Sequence, residues 1–228
     1  MSTISTGQAG GGRVAATSTL RFALLITGTS GFLDAYTYVE RGGVFANAQT
    51  ANVVLGAVAV SDEHWVQALQ HLASIVTFAV GAAVATHLAT RQRPRFAPTV
   101  EVLATGLLAV TVVVAAFVPA SAPPMVVTVP LVFLAAMLTE LFRKAGDLPY
   151  LPIATTGSLA RWVESTHEQV THPTSSSRRR FRVYLGLVGA FVLGALVGAL
   201  ATEAVGVHAS PVAALPMALA MYLALRGR

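Results

Sequence analysis

The most informative part of the chain is GFLDAYTYVERGGVFANAQTAN, residues 31–52, because a related pattern returns at residues 138–158 as LTELFRKAGDLPYLPIATTGS. In each copy an acid near the end of an apolar run, Asp34 or Glu140, precedes a polar segment centred on threonine. The two acids are 106 residues apart, and the same offset aligns the two polar segments. An internal repeat is sought first because missing it would misassign the whole fold. The pattern predicts a chain built from two related halves.

The composition is that of an integral membrane protein. Hydrophobic residues make up 54% of the 228 positions and charged residues only 11%, whereas a soluble domain carries roughly 25% charged residues. We therefore predict one membrane domain at residues 18–228, preceded by a polar, Gly-rich cytoplasmic tail at residues 1–17 that we expect to be disordered. The tail has no apolar core, so we do not interpret it as a signal peptide.

Six apolar stretches approach the length of about 20 residues that a helix needs to cross a bilayer. The predicted spans are 19–39, 65–90, 99–119, 125–143, 182–203 and 209–226. We therefore predict an all-α membrane protein with six transmembrane helices.

The basic residues predict the orientation of these spans. With both termini in the cytoplasm, 14 of the 15 Lys and Arg residues lie on the cytoplasmic side, and Arg41 is the exception. This bias is what the positive-inside rule expects. Because three spans, an odd number, precede the second copy, the repeats 19–119 and 125–226 would be inverted relative to each other in the membrane. The resulting prediction is a 3+3 inverted repeat in a bacterial cytoplasmic (inner) membrane.

Each half also contains a polar segment that breaks a helix, at residues 42–60 and 148–163. Gly42 and Gly43 interrupt the first, and two prolines interrupt the second. Irregular backbone at membrane depth is tolerated where it is buried in protein or lines a cavity. We therefore predict two broken or re-entrant segments, whose short helices would have Thr50 or Asn52, and Thr156 or Ser158, as N-caps.

These segments and the two acids supply the candidate functional residues. Asp34 is the strongest candidate for a coupling residue, because a charged side chain inside a membrane helix is costly and is retained for a reason. The alternative for the acids is an interfacial position or a local ion pair, and for the amides and hydroxyls it is capping and interhelical hydrogen bonding. The candidate substrate-binding or coupling residues are Asp34, Thr37, Asn47, Gln49, Thr50, Asn52, Glu140, Thr155, Thr156 and Ser158.

The sequence shows no pattern typical of an enzyme. It has no cysteine, no Ser-His-Asp arrangement, no phosphate-binding loop and no dinucleotide fingerprint. His71 and His87 are too far apart on one predicted helix to share a metal. We therefore predict no catalytic residues, no metal and no cofactor.

The first motif and the Thr155-Thr156-Gly157-Ser158 run of the second resemble the YoaK family of bacterial multi-pass membrane proteins. The resemblance covers roughly residues 20–226 and implies about six spans, but no known activity. Two positions depart from the family pattern, because Ser158 stands where Asn is usual and Ala51 where Gly is common.

From the residues we expect a secondary transporter of a small polar or anionic solute, with proton coupling through Asp34 and a binding site between the two polar segments near the membrane midplane. A channel using the same segments, or a non-transporting assembly protein, are the alternatives. The expected partners are the lipid bilayer, a small-molecule or ion substrate and a second copy in a homodimer, with no nucleic acid.

Overall fold

The computed structural model describes residues 20–91, 100–142, 144–145, 148–149 and 155–226, and the tail predicted at residues 1–17 lies outside them. The described part is almost entirely helical, as predicted. Its α-helices are α1 (Leu20–Glu40), α2 (Gln49–Ser61), α3 (Trp65–Arg91), α4 (Val100–Ala115), α5 (Met125–Leu141), α6 (Thr155–Thr171), α7 (Ser175–Val205) and α8 (Ala214–Arg226). A 3-10 helix at Gly206–Ala213 joins the last two, and two short strands, β1 (Lys144–Ala145) and β2 (Leu148–Pro149), pair antiparallel after α5.

The fifth predicted span begins earlier than the sequence suggested. We predicted it at 182–203, but α7 starts at Ser175. Thr174 is its N-cap and accepts a hydrogen bond of 3.0 Å from the backbone N–H of Ser177, whose hydroxyl accepts one from the backbone N–H of Thr174. This reciprocal capping box adds a polar, arginine-bearing first part to an otherwise apolar helix.

The sixth predicted span, 209–226, is not one helix. Gly206 adopts a positive φ of 59° and ends α7, and the following 3-10 helix contains Pro211. Proline cannot donate a backbone hydrogen bond, which favours irregular structure there. The α-helix resumes only at Ala214, with Pro216 tolerated in its first turn.

Close packing against α1 and α5 organises the helices. The main neighbours are α1 with α7 and α3 with α5, while α2 packs along α3 and α6 along α7. At the first crossing a Cβ on Gly194 would overlap the carbonyl oxygen of Gly28, and at the second a Cβ on Gly81 would collide with that of Phe133. The missing side chains allow the helix backbones to approach this closely.

Within the described residues, two helical stretches are long and apolar enough to cross a membrane: Trp65–Thr90, and Ser175–Leu223, which contains α7, the 3-10 helix and most of α8. Shorter apolar helices lie at Gln49–Ser61, Val100–Ala115 and Met125–Leu141. This length and composition indicate a membrane protein.

Candidate functional site

The first polar segment begins where α1 breaks. Gly42 and Gly43 have positive φ values of 82° and 74°, conformations that glycine adopts without steric cost. They turn the chain back over α1, so that Val44, Ala46 and Asn47 become buried. The predicted glycine break is confirmed, and it places the segment against the acid of α1.

Asp34 is held by this returning segment. Its side chain is only 4% exposed, and Oδ1 accepts hydrogen bonds from the backbone N–H of Asn47 at 2.7 Å and from Asn47 Nδ2 at 3.3 Å. Asn47 Nδ2 also donates to the carbonyl of Ser30, one helical turn before the acid, at 3.1 Å. The other oxygen, Asp34 Oδ2, has no hydrogen-bond partner among the described residues. The carboxyl group of Asp34 is thus held in place through Oδ1, while the hydrogen-bonding capacity of Oδ2 is unused.

Further along, Asn52 joins the segment to α3. Its amide pairs with the backbone of Phe45, since Oδ1 accepts from the N–H at 2.9 Å and Nδ2 donates to the carbonyl at 2.8 Å. Nδ2 also donates to Gln49 Oε1 and to Ser74 Oγ, each at 3.0 Å. His71 Nδ1 lies 3.2 Å from Asn52 Oδ1. Asn52 is fully buried and connects the break, α2 and α3.

The predicted helix caps are wrong for both segments. Ala48 is the N-cap of α2, so Thr50 and Asn52 lie inside its first turn, and Asn52 bonds backwards to Phe45 instead. Likewise α6 begins at Thr155, which places Thr156 and Ser158 within the helix. Capping residues lie outside the helical turns, and an earlier helix start removes these side chains from that role.

Among the remaining candidates, no described side chain hydrogen-bonds to the carboxyl group of Asp34, and the side chain of Thr155 lies outside the described part. Thr37 is buried, and its hydroxyl donates to the backbone carbonyls of Leu33, at 2.9 Å, and Asp34, at 3.5 Å. Thr50 is exposed, in a shallow groove beside the stacked rings of Tyr38 and Phe45. In the second half, Glu140 is half-buried, Thr156 is exposed and Ser158 is buried on α6. The structure therefore brings together Asp34 and Asn47 in one cluster, and Asn52 with Gln49 in another.

A second buried charge lies at the end of α1. Arg41 is 1% exposed, and its Nη2 donates to the carbonyls of Ala115 at 2.8 Å and Val118 at 3.0 Å, while Nη1 reaches Pro119 at 3.3 Å. Its Nε donates to the hydroxyl of Tyr36 at 2.9 Å. The guanidinium thus satisfies the free carbonyls at the C-terminus of α4, where the helix dipole favours a cation.

Five residues of these clusters were not among the predicted candidates: Ser30, Tyr36, Arg41, His71 and Ser74. Ser30 precedes Asp34 by four residues and shares its helix face, a spacing that the sequence does reveal. The other four contribute through tertiary packing and have no local signal. Among the described residues, no three His, Asp or Glu side chains are grouped to hold a metal ion.

These features define a helical membrane protein with buried polar clusters at a helix break. The chain belongs to the family described as "Protein of unknown function (DUF1275)", whose sequence model matches residues 22–223. This match confirms the resemblance to the YoaK family. No curated protein and no solved structure matches the chain.

Proposed function

We propose that the six predicted spans form an inverted repeat in which α1 to α4 correspond to α5 to α8. The helix contacts support this correspondence, because exchanging the halves converts one set of neighbours into the other. The pair α1–α7 becomes α5–α3, α2–α3 becomes α6–α7, and α4–α5 becomes α8–α1, and all six pairs are in contact. If the two halves were unrelated, these three matches between helix contacts would not be expected.

The two glycine crossings support the same correspondence. Gly81 stands in Phe78-Ala79-Val80-Gly81-Ala82 and Gly194 in Phe191-Val192-Leu193-Gly194-Ala195, which are similar in sequence. Gly81 lies against the carbonyl of Phe133 on α5, and Gly194 against that of Gly28 on α1. Equivalent glycines thus meet nearly equivalent positions on the counterpart helices.

We propose that the chain is a multi-pass protein of the inner membrane and that both of its termini lie in the cytoplasm. Arg41 was the exception to the positive-inside pattern, and its contacts explain the exception. Its guanidinium is buried against the α4 carbonyls. Arg41 therefore stabilises helix packing and is a poor indicator of membrane orientation. The other basic residues carry the topological signal.

Within this architecture we propose a secondary transporter of a small polar or anionic solute, coupled to protons through Asp34. The proposal rests on the buried carboxyl group of Asp34, whose Oδ1 accepts two hydrogen bonds and whose Oδ2 has no hydrogen-bond partner among the described residues. Among the described residues no cationic side chain forms an ion pair with Asp34, and an ionised group in such a place is costly. Arrival of a proton at Oδ2 would remove that cost, which is the property that a coupling residue requires.

Purified protein in liposomes tests this function. An internal pH-sensitive dye would report proton movement when members of a panel of small anions and polar metabolites are added outside. We expect at least one compound to drive a saturable pH change with the wild type and none with Asp34→Asn. The variant Asp62→Asn makes the same change at an exposed position after α2, so it is the matched control and should behave as the wild type.

An assembly role is the second candidate, and a specific observation favours it. Asn52, Gln49 and Ser74 satisfy one another's polar atoms, as expected of a segment that only needs to be buried. If no compound in the panel moves protons or raises the melting temperature of the wild type, the transporter proposal fails and the assembly role replaces it.

A further inference from the structure

A groove runs between α2 and α3, away from Asp34. It has a volume of about 370 Å³, within the range of small-molecule sites. Its walls are apolar and come from both helices: Val53, Gly56, Val60, Leu69, Leu72 and Ile75. Asn52 and His71 contribute the polar part of the lining, and Trp65, which is 61% exposed, stands at the start of α3.

The hydrogen bonds of Asn52 determine which nitrogen of His71 carries the proton. The paired bonds to the backbone of Phe45 fix the orientation of the Asn52 amide, so Oδ1 is an acceptor. His71 Nδ1 lies 3.2 Å from that oxygen and must therefore be the donor. In a neutral imidazole the other nitrogen is then an acceptor. His71 Nε2 is such an acceptor.

This acceptor has no donor among the described residues. The side chain of His71 is fully buried, and Nε2 has no hydrogen-bond partner. A buried polar atom without a partner is costly and is uncommon enough to need an explanation. Because the groove walls are apolar, a group that brings a donor should itself be mostly apolar.

We propose that the α2–α3 groove binds a membrane-soluble compound with an apolar body and one hydroxyl, of the phenol, quinol or long-chain alcohol class, whose O–H donates to His71 Nε2. A quinone is excluded as the donor, since its two carbonyl oxygens are acceptors only, and so is a phosphodiester group by itself. His71 lines the groove but its Nε2 is covered in the structure, so the hydroxyl reaches it only when the groove wall moves. This site is independent of the transport proposed for Asp34.

Tryptophan fluorescence in nanodiscs provides the test. The chain has two tryptophans, and Trp162→Phe leaves Trp65 as the reporter at the groove. The probes are 2-bromo-4-hexylphenol and its methyl ether, because bromine quenches a neighbouring indole and the pair differs only in the hydroxyl. A brominated long-chain alcohol and its methyl ether, measured in the same way, separate the phenol and alcohol sources.

We expect saturable quenching by at least one hydroxyl probe, with roughly two- to twelvefold tighter binding than its ether, the range of one net hydrogen bond. The preference should disappear in His71→Asn, whose amide nitrogen retains the donor to Asn52 and whose shorter side chain has no atom at the position of Nε2. Ala57→Phe, at a groove position, should weaken every probe.

Equal quenching by both members of each pair would overturn the proposal, because it would mean partitioning alone. Each hydroxyl probe is compared with its ether in protein whose groove residues are unchanged. The comparison therefore remains decisive if His71→Asn fails to fold. A hydroxyl preference that survives in folded His71→Asn would also overturn it.

Discussion

Arg41 Nη2 donates a hydrogen bond of 2.8 Å to the carbonyl oxygen of Ala115, which joins the end of α1 to the end of α4. The same guanidinium satisfies two further carbonyls and the hydroxyl of Tyr36. Tyr36 in turn lies 3.3 Å from the carbonyl of Val207 and donates to it. Arg41 and Tyr36 together thus connect the end of α1, the end of α4 and the 3-10 helix, which are far apart in the sequence.

We expect Arg41→Met to destabilise the protein by roughly 2–4 kcal/mol, because several buried carbonyls would lose their donor. The melting temperature in detergent should fall by several degrees. The matched control is Arg21→Met, at the exposed start of α1, which should change the melting temperature little. Equal melting of the two variants would show that the α4 carbonyls find other donors.

Two neighbouring residues of α2 should respond very differently to alanine. Asn52 is fully buried and hydrogen-bonds the break, Gln49, His71 and Ser74, so we expect Asn52→Ala to cost roughly 2–4 kcal/mol of stability. Thr50 is exposed, and Thr50→Ala should remain within about 0.5 kcal/mol of the wild type. Thermal unfolding of both variants measures the difference. Similar losses of stability would contradict the central position of Asn52 in this hydrogen-bond network.

The sequence predicted the helices well, because apolar length and glycine or proline breaks are local signals. The starts of α3 and α5 and the break at Gly42 could be located in this way. The start of α7 was missed because a capping box extends the helix through charged residues. Hydropathy alone does not register such a cap.

The candidate site was predicted only in part, for a different physical reason. The pairing of Asp34 with Asn47 follows from a return of the chain that glycines permit, and both residues were among the candidates. Whether Thr50 or Asn52 faces inward depends on where α2 begins, and the structure buries only Asn52. The role of Arg41 depends on α4, more than seventy residues later, so no local pattern contains it.

Substitutions at Asp34 should separate its structural role from its chemical one. Asp34→Asn retains an oxygen that can accept both bonds from Asn47, so we expect its melting temperature to stay close to that of the wild type. Asp34→Leu leaves the N–H groups of Asn47 without an acceptor and should cost about 1–3 kcal/mol. A large loss in Asp34→Asn would instead indicate that the carboxylate charge itself holds the fold.

The two helix crossings make a paired prediction about glycine. Gly81→Ala and Gly194→Ala place a methyl group against the backbone of α5 and α1, so each should lower stability by roughly 1–3 kcal/mol or more. Gly189→Ala on α7 meets no atom within 4 Å and should raise stability by up to about 1 kcal/mol through helix propensity. Melting temperatures test the signs. A tolerated substitution at either crossing would mean that the helices are not held this closely.

The proposed inversion makes its clearest prediction for the two interhelical turns, after α2 and after α6. These turns are counterparts, so an inverted repeat must place them on opposite sides of the membrane. Since the chain has no cysteine, single substitutions at exposed positions can be labelled cleanly. Asp62→Cys should react with an impermeant maleimide in intact spheroplasts, whereas His172→Cys should react only after lysis.

His208→Cys, an exposed position in the 3-10 helix after α7, is a second reporter for the outer face. Like Asp62→Cys and unlike His172→Cys, it should react with the maleimide in intact spheroplasts, because α7 crosses the membrane in the proposed topology. Labelling of Asp62→Cys and His172→Cys from the same side would rule out the inversion. The similar glycine crossings would then reflect a common packing motif and not a repeat.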